Sequence, residues 1–530
     1  MPHQAVMTCA EVLVRSLAAH GVDTVFGIPG THNIEIYRHL TGYGIRHVTP
    51  RHEQGAGYAA DGYARTTGRP GVAVTTTGPA AMNILAAVGQ AYSDSVPILV
   101  VAPGPPVRHP QRGTGMLHEM RDQRGAMAAV TNTAQRVTSH AELAEAVAQA
   151  FVEMTSGRPR PVYLEVPLDL LVEVADVSIV DPIYVAAPLP DPGLVAASAR
   201  RLAEASRPGL LLGGGSKCAA ADALAVAGQL QAPVLTTTNG KGIMPEDHPL
   251  SVTAALHLPG AAALVEECDV LLAVGTELAP TDWWNGVPRP EFLIRFDIDT
   301  AQLVQNARPD LAIHADARLG LAQLRSALSP VPERDASRAG AWKSRLAGEA
   351  RAKGARWVSM MEAIASVLDR DAVVAADNAM ACYYGALGTL PVHVPGGFCF
   401  PTGFGTLGYA LPAALGAAVA SPGRQVIALV GDGGLMFSVQ ELAAVAAEGI
   451  PLPVVVFVNG GYGEIRSNMR DAGITPLAVD LPVPDFVALA RSLGGDGVAC
   501  TGPEHLAESL RAALARPGPT LLVVEEPAEA

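Results

Sequence analysis

The chain has 530 residues, 49% of them hydrophobic, too many for one core, and its length predicts about three domains. Its net charge of −14 argues against a nucleic-acid or anionic-membrane surface, because either needs a basic footprint. It leaves room for a bound diphosphate neutralised locally by a metal ion and backbone N–H groups. The cysteines (Cys9, Cys218, Cys268, Cys382, Cys399 and Cys500) form no Cys-x-x-Cys pair, so neither a disulfide framework nor a zinc site is expected. The start lacks a basic stretch followed by an apolar run, and no apolar segment is long enough to span a bilayer. A cytoplasmic enzyme is the expectation.

In chain order, "DTVFGIP", "GVAVTTTG", "PILVVAP" and "PVYLEVP" read as short buried strands. "GAGYAADGYARTTG" and "AELAEAVAQAFVEMTSG" carry helical spacing between them. The proline-bearing stretch 180–193 reads as a connection. A second block offers "GLLLGGG", "APVLTTT", "DVLLAVG" and "FLIRFDID", and "SPVPERDASRAG" reads as another connection. The last block offers "AVVAADN", "QVIALVGDGG", "PVVVFVNGG" and "PTLLVVEE". Strands alternating with helices imply doubly wound parallel sheets, so the expectation is three α/β domains at 1–175, 194–328 and 355–530.

The strongest local signal is a strand ending in Gly431-Asp432-Gly433, then a helix, then a strand ending at Asn459, 27 residues beyond Asp432. Parallel sheets hold ligands at the carboxyl ends of their strands, where both side chains would lie. A carboxylate, an amide oxygen and a backbone carbonyl are hard ligands suited to Mg²⁺ shared with phosphate oxygens. Gly433 and Gly434 would let the backbone approach a phosphate at the start of a helix.

With this motif the chain resembles the thiamine-diphosphate enzymes related to acetolactate synthase, benzoylformate decarboxylase and pyruvate decarboxylase. The segments "VFGIPGTHNIEIYRHL", "RHEQGAGYAADGYARTTGRPGVAVTTTGPAAMN" and "PTGFGTLGYALPAALGAAVA" follow one another in that family's order. The resemblance implies three α/β domains of the thiamine-diphosphate-enzyme fold, with thiamine diphosphate and Mg²⁺ as cofactors. Asp432 and Asn459 would be side-chain metal ligands, and Gly461 would offer its carbonyl. Gly431, Gly433, Gly434 and Tyr462 would complete the diphosphate site. Glu53 matches the glutamate that activates the cofactor by a hydrogen bond to its pyrimidine, favouring the imino form that deprotonates C2. Leu407 would wedge the cofactor into its bent shape, and the carbonyl of Gly405 would meet its 4′-amino group.

His118 lies where pyruvate decarboxylases carry paired histidines, and it is a candidate proton donor. Thr31 occupies the place of a substrate-binding serine. Thr76 or Thr77 stands where benzoylformate decarboxylase has a histidine, and Ile465 where pyruvate decarboxylases have a glutamate. After "LLAVG" the chain continues "TELAPTDWWNG" instead of an Arg-Phe-Asp-Asp-Arg-like stretch, which puts FAD binding in doubt. "VGTELAPTDWW" and "NGGYGEIRSNMRDAGI" resemble 5-guanidino-2-oxopentanoate (2-ketoarginine) decarboxylases most. A cationic substrate would want a carboxylate, and Glu464, Glu119 and Asp282 are the candidates.

The resemblance therefore implies decarboxylation of a small 2-oxo acid through a C2-carbanion/enamine intermediate. The alternatives are an acetolactate-synthase-like carboligase and a catalytically silent binding subunit. A nicotinamide dehydrogenase would need a G-x-G-x-x-G after a strand, which is missing. A homodimer or homotetramer with active sites between chains is also implied.

Overall fold

The computed structural model describes residues 5–108, 113–329 and 337–526. It contains three separate six-stranded sheets whose strand pairs are all parallel.

β1 (Ala5–Thr8) leads into the first sheet, made of β2 (Thr24–Gly27), β3 (Arg46–Val48), β4 (Gly71–Val74), β5 (Ile98–Gly104), β6 (Thr133–Arg136) and β7 (Val162–Pro167). Its order is β3-β2-β4-β5-β7-β6, and β8 (Val174–Val177) returns antiparallel to β1. The central sheet comprises β9 (Pro208–Leu212), β10 (Val234–Thr236), β11 (Ser251–Thr253), β12 (Val270–Val274), β13 (Leu293–Asp297) and β14 (Leu311–His314). Its order is β11-β10-β9-β12-β13-β14. The last sheet has β15 (Val373–Ala376), β16 (Phe398–Cys399), β17 (Val426–Gly431), β18 (Leu452–Val458), β19 (Asp496–Cys500) and β20 (Pro519–Glu525), in the order β16-β15-β17-β18-β20-β19. Central strands such as β5, β17 and β18 are buried at every residue, because helices cover both faces. Their uninterrupted Val/Ile/Leu runs are the sequence form of that burial.

The first and last sheets share one hydrophobic core. Helix Glu53–Thr67 lies against helix Ala410–Ala420, and their backbones approach so closely that only glycine fits at the crossing. A Cβ at Gly62 would stand 2.0 Å from the Ala413 carbonyl oxygen, and one at Gly416 would stand 1.8 Å from that of Ala59.

Two expectations change in the structure. The stretch 180–191 is irregular as expected, but the second connection overlaps a helix: its residues 330–336 lie outside the described residues, and its last residues open helix Ser337–Lys353. Ala339, Trp342, Leu346 and Ala350 form its buried stripe, which the intervening Arg, Lys and Gly residues hide from a composition-based reading. The helix expected to run unbroken after Gly-Asp-Gly is also divided, into Asp432–Leu435 and Glu441–Glu448. Among the described residues no helix is long and apolar enough to cross a membrane.

Candidate active site

In the last sheet, β17 and β18 run in register, with Gly431 opposite Phe457. Asp432 and Asn459 therefore emerge side by side from adjacent strand ends. Asp432 is buried, and its Oδ2 accepts hydrogen bonds from the backbone N–H of Gly460 (2.9 Å) and Gly461 (3.0 Å). Asp432 Oδ1 and Asn459 Oδ1 are both buried without any hydrogen-bond partner. Such oxygens are costly unless something satisfies them, and two together describe a cation site. Glu526, at the end of β20, takes a hydrogen bond from Asn459, and burial raises its pKa. That contact occupies the amide nitrogen and fixes which Asn459 atom faces the site, an outer-sphere device common at metal centres.

The backbone beside Asp432 is packed too closely for a side chain. A Cβ at Gly433 would meet the Gly461 carbonyl oxygen at 2.9 Å and the Tyr462 ring at 3.0 Å. Gly461 itself sits at φ 128, a conformation that glycine alone adopts with ease. Among the described residues no three His, Cys, Asp or Glu side chains gather as a metal site, so a cation here depends on one carboxylate plus amide and carbonyl oxygens.

The loop after β16 carries Gly405 at φ 69 and Gly408 at φ 78, flanking a half-buried Leu407. It is clamped from both sides. Asn378 Nδ2 donates to the Thr406 carbonyl at 2.8 Å, and Asp94 accepts from the N–H groups of Thr402 and Gly403 at 3.1 and 2.8 Å. Leu407 is thus held up between two turning points.

The carboxyl ends of the first sheet supply a different set. Asn33 bonds the Gly30 N–H and the Ile28 carbonyl, ordering the loop after β2 that carries His32. Glu53 opens its helix five residues beyond the end of β3 and accepts from Asn83 Nδ2 at 2.9 Å. Thr77 follows β4, and its hydroxyl lies 2.6 Å from His32 Nδ1 and 3.1 Å from His118 Nδ1. One hydroxyl proton cannot serve both rings, so at least one of the two histidines donates to Thr77. His118 has φ 62, a left-handed backbone unusual for a side chain of this size, and it packs where a Cβ at Gly78 would be 2.8 Å from its own Cβ. Burial, and then the neighbouring His118, hold His32 below the ordinary histidine pKa. The short helix Pro79–Asn83 joins the two groups, with Gly78 against His118 at one end and Asn83 on Glu53 at the other.

Glu441 connects the sheets. It is fully buried, its carboxylate accepts from the N–H groups of Arg51 and His52 just before Glu53, and burial pushes its pKa up to about 7.

The sequence-derived candidates separate as follows. Asp432, Asn459, Gly431, Gly433, Gly434, Gly461 and Tyr462 come together, and Gly405 and Leu407 share one loop. Glu53 and His118 lie on one edge of the first sheet. Thr31 is exposed with no neighbour in this cluster, and the residue that reaches His118 is the adjacent His32. Thr77, and not Thr76, faces the histidines. Glu119 spends its carboxylate on the N–H groups of Gly113 and Gly115, at 2.6 and 2.9 Å. Asp282 does not join Glu464: it is directed into a separate cavity of about 490 Å³ that the Gly214-Gly215 turn also lines. There burial raises its pKa to about 6 and it accepts from the Thr238 N–H. His32, Asn83, Glu441 and Glu526 were not singled out from sequence. A histidine two residues beyond the "GIPG" strand end was the one visible sign among them.

Three family models match in order: the thiamine pyrophosphate enzyme N-terminal TPP binding domain at 7–126, its central domain at 195–324 and its C-terminal TPP binding domain at 379–524. The chain belongs to the thiamine pyrophosphate enzyme family. It is 41% identical to a protein named a probable 2-ketoarginine decarboxylase of Pseudomonas aeruginosa, over 98% of this chain and 94% of that protein. It is 36% identical to the acetolactate synthase large subunit of Parasynechococcus marenigrum, over 97% and 87%. The acetolactate synthase isozyme 1 large subunit of Escherichia coli is 30% identical, over 98% and 94%.

Proposed function

We propose that the chain catalyses thiamine-diphosphate- and Mg²⁺-dependent decarboxylation of a 2-oxo acid with a basic side chain, of the 2-ketoarginine type. The observation that carries the cofactor assignment is the pair of buried, unpartnered oxygens, Asp432 Oδ1 and Asn459 Oδ1, at adjacent strand ends. Asp432, Asn459 and the Gly461 carbonyl would hold Mg²⁺, and the backbone of Gly431, Gly433 and Gly434, with Tyr462 alongside, would hold the diphosphate. The cofactor, when bound, supplies an electron sink for the pair left behind by CO₂.

The protein's own tasks follow from its geometry. Gly405 and Leu407 would shape the cofactor from the clamped loop. Asn83 engages Glu53 Oε2, which leaves Oε1 to hold a proton toward the pyrimidine end of the cofactor. His118, linked through Thr77 to His32, would deliver a proton to the product carbon, giving an aldehyde. The acetolactate synthase relatives support a second reading, in which a second carbonyl substrate takes the place of that proton and the chain is a carboligase. The histidine cluster favours the decarboxylase.

The proposal includes an assembly of at least two copies, with Glu53 of one chain serving the diphosphate site of another. Phe404, Met436 and Phe437, around the cradle, stay half exposed and offer an apolar rim for a second copy to cover. It also includes a cytoplasmic location, which the six free cysteines suit. FAD is left out of the proposal, because the Arg-Phe-Asp-Asp-Arg-like stretch after "LLAVG" is missing.

The test is CO₂ release by the purified chain, with thiamine diphosphate and Mg²⁺, from pyruvate, benzoylformate, branched 2-oxo acids and 2-ketoarginine. Release from 2-ketoarginine that disappears in Glu53→Gln supports the proposal. Release from none of the acids, or product containing two joined substrates, contradicts it.

A further inference from the structure

Beyond the cofactor cradle, helix Gly463–Asp471 begins two residues after Gly461 and carries Glu464 in its first turn. Both oxygens of the Glu464 carboxylate accept from the Tyr384 hydroxyl, at 3.0 and 3.1 Å. A carboxylate has about four lone-pair sites, so one hydroxyl leaves most of its capacity open. Trp284, from the central unit, stands nearly perpendicular to both Tyr383 (6.1 Å, 83°) and Tyr384 (5.9 Å, 87°). The residue keeps 46% of its surface exposed although its ring sits amid aromatic neighbours. The three rings and the carboxylate make a corner with aromatic faces and one acid.

This corner is continuous with the cofactor cradle. The Tyr383 hydroxyl donates to Asn378 Oδ1 at 2.9 Å, and Asn378 in turn donates to the Thr406 carbonyl, one residue from Leu407. After burial, Glu464 is the largest influence raising the pKa of both Tyr383 and Tyr384, and Asp471 adds to it at Tyr384. His257 stacks on Trp284 at 4.2 Å, and burial together with the Lys353 ammonium holds its pKa down to about 4, so it stacks as a neutral ring. A cation already uses the cluster: Lys353 Nζ lies 4.8 Å from the centre of the Tyr384 ring. Trp284 and Glu464 have no cationic partner of that kind among the contacts described.

Resting on the 2-oxo acid reading above, we propose that Glu464, Tyr384 and Trp284 form the subsite that binds the cationic end of the substrate, a guanidinium. Planar guanidinium fits such a corner twice over, by stacking on an aromatic face and by paired hydrogen bonds to a carboxylate. Tyr384 orients Glu464, and Trp284 supplies the stacking surface. Glu464 binds substrate here and takes no part in bond breaking.

The experiment compares 2-ketoarginine with its neutral isostere, 5-ureido-2-oxopentanoate, on the thiamine-diphosphate- and Mg²⁺-loaded enzyme. Wild type should prefer the cationic acid. In Glu464→Gln the kcat/KM ratio of cationic to neutral substrate should fall about tenfold or more, mostly through the KM for 2-ketoarginine. Trp284→Leu should lower the same ratio by a smaller factor. Turnover of the neutral acid by each variant shows that it is folded. A wild-type enzyme that releases CO₂ from both acids with equal efficiency overturns the subsite while leaving decarboxylation standing, and so does a Glu464→Gln ratio equal to wild type. An enzyme that releases CO₂ from neither acid but does so from pyruvate or benzoylformate removes the basic-substrate reading, and the subsite with it.

Discussion

The first and last sheets have the same strand order: β3-β2-β4-β5-β7-β6 and β16-β15-β17-β18-β20-β19 each run 2-1-3-4-6-5 in their own chain order. The central sheet runs 3-2-1-4-5-6 instead, the order of dinucleotide-binding domains. The two like sheets nevertheless present opposite chemistry at their strand ends. The first offers groups that carry protons: His32 after β2, Glu53 after β3, Thr77 after β4 and His118 beyond β5. The last offers oxygens suited to an ion: Asp432 after β17, Asn459 after β18, and Glu526 after β20. The lesson is that topology fixes where a site lies, and the few residues at the strand ends decide what it does. The proposed function thereby assigns holding and activating the cofactor to different sheets, and each assignment can be broken alone.

The largest expected effect is on the holding side. Asp432→Ala should lower activity by about a thousandfold or more and abolish Mg²⁺-dependent binding of thiamine diphosphate, because it removes the carboxylate proposed to bind the cation. Activity assays with a cofactor titration check this. Glu53→Gln should cost about a hundredfold to ten-thousandfold in kcat while cofactor affinity stays near wild type, the signature of lost proton transfer. His118→Phe should cost about tenfold to a hundredfold, and Thr77→Val should reproduce part of that loss, because the hydroxyl is the link to His32.

Smaller effects probe the join between the sheets. Gly416→Ala would push a methyl group to 1.8 Å from the Ala59 carbonyl oxygen, and it should destabilise the protein by about 1–3 kcal/mol, read as a lowered thermal midpoint. Glu441 predicts a pH effect. Its pKa is raised from 4.5 to about 7 on folding, so the folded state binds the extra proton. Its contribution to stability is therefore present below about pH 4.5 and is lost as pH rises toward 7. Denaturant midpoints measured across that window should decline less steeply with rising pH in Glu441→Gln than in wild type.

Much of this was legible in the sequence because the signals were local. Buried parallel strands appear as unbroken aliphatic runs, and "GDGG" followed by Asn459 marks two strand ends one helix apart. Glu53, Leu407 and His118 could be singled out by resemblance. Short edge strands such as β3, β11 and β16 carry too few residues to show a pattern. The helix Ser337–Lys353 was hidden because its buried stripe is sparse among charged residues. Partners that depend on long-range folding left no local trace: Asn83 reaches Glu53 over 30 residues, and Glu441 reaches Arg51 over 390. Asp282 and Trp284 are close in sequence, yet one lines the central cavity and the other packs on Tyr384, a divergence set by loop shape alone.

The division of labour between the two sheets has one direct test: thiamine diphosphate titrated calorimetrically, with Mg²⁺, into wild type, Asp432→Ala and Glu53→Gln. The account predicts that Asp432→Ala shows no binding, and that Glu53→Gln binds with near wild-type affinity but releases CO₂ from its 2-oxo acid at least about a hundredfold more slowly. Wild-type affinity in Asp432→Ala would contradict it.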